Sequence, residues 1–175
     1  MKNANLVSLT CCWLALFLSA GCGAKESTAP AAPKTVADFF PIKVGDQVVQ
    51  MQVAVLPTEM EHGLMGRRDL GPDQGMIFVY QQPQVMTFWM HNTPTPLDIG
   101  FFRPSGELAE IYPLLPFDER TVRSRSESLQ FAVEMNQGWY HAHGLRPGAM
   151  LDLKALAAAL RARDFDPRKF GIDKP

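Results

Sequence analysis

Cysteine is almost missing from this chain, with three in 175 residues, and two of them, Cys11 and Cys12, lie in an apolar run near the N-terminus. If that run is removed, Cys22 is the one thiol left, which excludes an intramolecular disulfide and any cysteine-based metal cluster. Long hydrophobic runs are missing too. Leu6–Leu18 would make about 20 Å of helix, short of a hydrocarbon core of about 30 Å. Neither sign of charge dominates: 17 Lys plus Arg stand against 18 Asp plus Glu, a net charge of −1. That balance gives no basic field for a phosphate backbone, so no nucleic-acid partner is expected. The sequence holds no Ser-His-Asp order, P-loop, dinucleotide glycine fingerprint, zinc-protease motif or internal repeat. No cofactor is implied.

What is present begins with an address. Lys2, the apolar run and the small residues Ser19-Ala20-Gly21 before Cys22 have the order of a secretory signal peptide. The segment resembles a bacterial lipoprotein signal, in which the cysteine becomes the lipidated first residue; ordinary cleavage nearby, leaving Cys22 a free thiol, is the alternative. Gly23 after the cysteine implies, by the same resemblance, the periplasmic face of the outer membrane. Residues 22–34 are small, polar and Pro-containing, and read as a flexible tether. The expected organisation is a signal peptide at 1–21, a lipid-anchored linker at 22–34, a β-domain at 35–153 and a C-terminal helix and tail at 154–175.

The 14 Pro and 13 Gly favour many short elements joined by tight turns. Val48–Val55 alternates apolar and polar residues with the two-residue period of a half-buried strand, and Gly45-Asp46 before it reads as a hairpin turn from Ile42–Val44. Thr58 followed by Glu61 reads as a capping box opening a helix to about Arg67. Met76–Tyr80, Val85–Met90, Leu97–Phe102 and Leu108–Tyr112 are short apolar runs, the last two joined by a turn at Pro104-Ser105-Gly106. Leu129–Met135 is the cleanest strand, Gln137–His143 a helical turn or two, and Ala149–Leu153 a last strand. Lys154–Arg163 is the strongest helix by propensity, followed by a loosely held tail. Together these predict a mainly β fold, a sandwich or partly closed barrel with one or two short helices and a C-terminal helix.

Four blocks carry a family resemblance: Glu59–Leu70 (EMEHGLMGRRDL), Gly75–Tyr80 (GMIFVY), Phe88–Phe101 (FWMHNTPTPLDIGF) and Ala132–Gly148. In order and spacing the stretch Val36–Asp152 resembles the bacterial and archaeal family catalogued as domain of unknown function 192. The resemblance implies a small secreted β-domain of jelly-roll-like topology and no established reaction. Family members have arginine about where His62 stands.

Strand parity divides Val85–His91. If Met86, Phe88 and Met90 face a core, Thr87, Trp89 and His91 line the reverse face, an aromatic platform with polar neighbours suited to a small ligand, a glycan or an envelope partner. The alternative is that Trp89 fills a second core layer. Asn92-Thr93-Pro94-Thr95-Pro96 is a stiff loop that can close turns through Asn92 and Thr93. Asp98, between two apolar residues, needs a cation or hydrogen bonds; Arg67 is the expected cation and loop N–H groups the alternative. Glu134 lies on the polar parity of its strand, where it and Asp98 would make a carboxylate pair of the glycosidase kind if about 5–9.5 Å apart. That pair would make an envelope hydrolase. The many Met residues, with His62 and His91, suggest Cu(I) as a third reading, although most Met positions follow core parity. His143 before Gly144 is expected to cap a helix end rather than to bind metal. The reading these residues favour is non-catalytic binding by a membrane-tethered domain, with Trp89, His91, Asn92, Thr93, Asp98, Arg67 and Glu134 as the ligand-binding set.

Overall fold

The computed structural model describes residues 32–172. The signal segment, Cys22 and the tether as far as Ala31 lie outside the described residues.

Strands β1 (Phe40–Val44) and β2 (Gln47–Ala54) form the expected hairpin, with Val44 opposite Gln47 and Gly45 at φ +57°. A two-residue turn of this kind needs positive φ, which glycine adopts without a Cβ penalty. Strand β2 then pairs with β3 (Gln74–Gln84) in parallel. Parallel neighbours cannot be joined by a hairpin; the chain must cross over the sheet, and α1 (Pro57–His62) lies in that crossover. The helix begins earlier than Thr58 because Pro57 supplies a preset φ at its first turn. The reaching residue is Glu59, whose carboxylate accepts from the N–H groups of Val55 at 2.9 Å and Leu56 at 3.0 Å.

The remaining strands are β4 (Thr87–Phe88), β5 (Leu97–Phe102), β6 (Leu108–Leu114), β7 (Val122–Arg123) and β8 (Leu129–Asn136). Six of the eight make one mixed sheet in the order β1-β2-β3-β8-β5-β6, and β4 pairs with β7 in a second, two-stranded sheet. The molecule is mainly β, with two sheets, a few short helices and a C-terminal helix, in keeping with a jelly-roll-like sandwich. The expected strand at Ala149–Leu153 reduces to two isolated bridges, Val44 to Leu151 and Glu107 to Met150.

Both faces of the large sheet are covered. On one face Met51, Ile77, Val133 and Met135 pack with Tyr140 of α2 (Trp139–Ala142) and with Leu156 and Leu160 of α3 (Leu153–Ala162). On the other, Met76, Phe78, Ile99 and Ala132 pack against Met86, Phe88 and Met90 around β4 and against Leu64 after α1. Burying each large apolar side chain contributes roughly 1.5–3 kcal/mol. The central strand β8 is therefore buried on both faces along almost its whole length.

Helix α3 is capped by Asp152, whose carboxylate accepts from Ala155 N–H at 2.9 Å. At its far end the buried Arg163 donates to the carbonyl of Val53 and to Glu59, the residue that also caps α1. The tail is not loosely held as far as it is described. Phe170, in a 3-10 turn at Pro167–Phe170, and Ile172 are both buried, and Gln130 Nε2 donates to Phe170 O at 2.7 Å.

Candidate functional site

The parity of Val85–His91 holds. Met86, Phe88 and Met90 are buried, whereas Trp89 is 45% exposed, so it does not fill a second core layer. Its indole stacks on the His91 imidazole with ring centres 4.9 Å apart and planes 19° from parallel. His91 Nδ1 lies 2.7 Å from Glu119 Oε1, which holds the imidazole beneath the indole.

The Asn92–Pro96 loop is fixed at several points. Asn92, at φ +51°, offers its carbonyl to Gly66 N–H at 2.8 Å. Thr93 is buried; its hydroxyl donates to His91 O at 3.1 Å, and its carbonyl accepts from Phe117 N–H at 3.1 Å. Thr95 donates to Arg67 O at 2.7 Å. The loop thereby ties β4 to the segment that follows α1.

Between these two segments lies a cavity of about 240 Å³. Met60, His62 and Met65 line it from the α1 side, Thr87, Trp89 and Thr93 from the β4 side, and Phe78 and Tyr80 from β3. Glu134 lines it from β8. A second depression shares His62, Met65 and Trp89 and adds His91 and Asn92.

Glu134 departs most from expectation. The polar parity of its strand predicted a solvated surface, but the residue is only 5% exposed, because β4 and the α1 crossover cover that face. Its carboxyl makes no hydrogen bond or ion pair among the described residues. Desolvation alone raises its pKa from 4.5 to about 8. A carboxyl with this pKa is mostly neutral at pH 7.

Asp98 is elsewhere. Its register partner on β8 is Met135, while Glu134 pairs with Ile99. Adjacent residues on a strand point to opposite faces, so Asp98 and Glu134 are separated by the sheet itself. The carboxylate pair of a glycosidase does not exist here, and the hydrolase reading fails on register. Asp98 accepts from Gly138 N–H at 2.7 Å and so holds the turn into α2. Burial raises its pKa, partly offset by that hydrogen bond.

Arg67 is not its partner. The guanidinium donates to Asp69 at 2.6 Å and to Gln52 Oε1 at 2.8 Å, and it lines a different depression with Gln52 and Glu59. Of the expected set, Trp89, Thr93 and Glu134 meet at one cavity, with His91 and Asn92 at its margin; Asp98 and Arg67 lie outside it. Phe78, Tyr80, Met60 and Met65 join the site only because the parallel crossover lays α1 above β3, which no local pattern announces. Most other methionines are core: Met51 and Met135 on one face, Met76, Met86 and Met90 on the other. His143 ends α2 as expected, its ring 4.8 Å from that of Trp139. No group of three or more His, Cys, Asp or Glu among the described residues is placed to hold a metal.

A family model described as an uncharacterised ACR, DUF192, matches residues 40–153. The chain belongs to the DUF192 family. No curated protein matches it. Among solved structures, this DUF192 chain is similar to a Sinorhizobium meliloti 1021 protein described as a candidate transcription regulator, at 30% identity and TM-score 0.62 over 65% of this chain and 94% of that one. It is also similar to a protein of unknown function from Novosphingobium aromaticivorans DSM 12444, at 32% identity and TM-score 0.63 over 72% and 94%.

The first relative corrects two expectations. A transcription regulator of this fold contradicts both the exclusion of a nucleic-acid partner and the envelope location with a lipid anchor at Cys22. The physical reasons are plain. Net charge sums the whole chain and says nothing of how charge is distributed over a surface. An apolar run of thirteen residues suits a helix buried in protein as well as a signal segment, so it fixes no compartment. No helix among the described residues is long and apolar enough to cross a membrane.

Proposed function

We propose that this DUF192 domain binds a small molecule, without transforming it, in the cavity between α1 and β4. The observation that carries the reading is Glu134. The residue is only 5% exposed and its carboxyl, which lines the cavity, has no partner among the described residues, so ionising it there costs several kcal/mol of desolvation. The aromatic wall and the half-exposed Trp89 give the apolar contact area that small-ligand sites use, with few polar groups to fix orientation. The relative described as a transcription regulator is compatible with this reading, since some regulators respond to a bound small molecule.

Backbone-amide NMR spectra of the full chain, recorded during titration with a set of fragment-sized compounds, test the reading. Binding compounds are expected to move resonances at Met60–Met65, Thr87–Thr93 and Glu134 together. Perturbations that always fall elsewhere, or a set with no binder at all, defeat it.

A further inference from the structure

The chemistry of the cavity selects among small molecules. Two carboxyls, Glu61 and Glu134, line it, and neither Arg nor Lys does. Arg67, in a neighbouring depression, is taken up by Asp69 and Gln52, and Arg123, opposite Thr87 on β7, lies outside the lining. Four aromatic rings, Phe78, Tyr80, Phe88 and Trp89, make much of the rest of the wall, with Phe78 and Phe88 edge to face at 5.0 Å. Aromatic faces carry negative potential, and a wall of rings beside an acid attracts a cation while repelling an anion. The volume of about 240 Å³ admits a headgroup with a short tail rather than a large molecule.

We infer that the cavity over Glu134 takes an organic cation, an alkylammonium or guanidinium headgroup whose charge rests against the Glu134 carboxylate and whose substituents lie among the four rings. This inference rests on the small-molecule reading above. A bound cation supplies the missing partner of Glu134, and binding draws the proton off the carboxyl: the neutral acid releases H⁺ to solvent as the ion pair forms. The titratable groups facing Glu134 are Tyr80 from β3 and Glu61 and His62 from α1, with Tyr140 of α2 sensing its charge from the other side of the sheet. An inorganic cation is the competing occupant, with Met60, Met65 and His62 as its donors.

Isothermal titration of the full chain with n-propylguanidinium and n-butylammonium, against n-propylurea and butyrate, tests this, with NMR mapping to place each ligand. Both cations are expected to bind at Thr87–Thr93 and Met60–Met65 with proton release, seen as a heat that changes with the buffer's ionisation enthalpy. Glu134→Gln, which keeps size and neutrality, is expected to weaken the cations by on the order of 10-fold or more and to abolish proton release. Trp89→Leu, on the surface and without risk to the core, is expected to weaken them less. Propylurea binding as tightly as the cations, or unchanged cation binding in Glu134→Gln, overturns the inference and leaves small-molecule binding standing. Cu(I) captured through Met60 and Met65, with no response to either organic cation, overturns it as well. If no compound of any charge perturbs the cavity, both readings fall.

Discussion

Glu134 ties the stability of the protein to pH in a direction opposite to that of most carboxylates. Its folded-state pKa of about 8 lies above the ordinary 4.5 of an exposed glutamate. Between those values the folded protein keeps a proton that the unfolded chain has shed, so stability falls as pH rises. The limiting slope is about 1.4 kcal/mol per pH unit, and the full window from pH 4.5 to pH 8 amounts to on the order of 5 kcal/mol. Below pH 4.5 both states are protonated and the effect vanishes. Glu134→Gln removes the titration and keeps the shape. Urea denaturation of the two proteins at pH 5, 6, 7 and 8, followed by tryptophan fluorescence, isolates the contribution, because every other titrating group is common to both. The wild-type midpoint should fall relative to the variant across this range, matched by a loss of roughly 3–6 °C in Tm per pH unit. Parallel pH profiles for the two proteins would refute the account of Glu134 as a desolvated, unpartnered acid.

Three further outcomes are expected. Arg163→Leu breaks a buried ion pair with Glu59 and a hydrogen bond to Val53 O, at a cost of about 3–5 kcal/mol in chemical denaturation. Burial works to raise Glu59, but Arg163 and the N–H groups of Val55 and Leu56 outweigh it and hold the pKa below its ordinary value, so the deficit of the variant should be largest near neutral pH and shrink as acid protonates Glu59 in the wild type. Gly75→Ala would place a Cβ 2.4 Å from the backbone oxygen of Glu134 and 2.3 Å from Met135 Sδ, which forces β3 and β8 apart; a loss of about 3 kcal/mol or more, or failure to fold, should appear in its thermal melt. Phe170→Ala should cost about 3–5 kcal/mol and expose the tail to limited proteolysis; an unchanged cleavage pattern would contradict the docking of that turn.

Period-two patterning made the strands legible in the sequence, and with them the wet side of Trp89, because a strand that alternates strictly has one face to bury. The same rule misled at Glu134, and Gln130, on the same parity, is buried as well. Parity assigns a side chain to a face but does not say what lies on that face, and β8 is covered on both. Gln130 satisfies its burden with the carbonyls of Tyr80 and Phe170, whereas Glu134 has nothing comparable. The partner of Asp98 was illegible for a related reason. The hydrogen bond from Gly138 depends on a turn forty residues further along, while Arg67 was nearer in sequence and already engaged. The tail looked loose because its composition is charged, yet Phe170 and Ile172 suffice to anchor it.

The parallel pairing of β2 with β3 has one more consequence. Because that pairing demands a crossover, one side of the cavity is a single excursion, residues 55–73, held at its ends by neighbouring strands and at its middle by Leu64 in the core and by the Asn92–Pro96 loop at Gly66 and Arg67. The floor of the cavity, by contrast, is woven into the ladder. Rewriting that one contiguous stretch would change the Met60–Met65 side of the cavity and leave Glu134 and the four rings in place, so grafting it between relatives would separate what the crossover contributes from what the scaffold contributes.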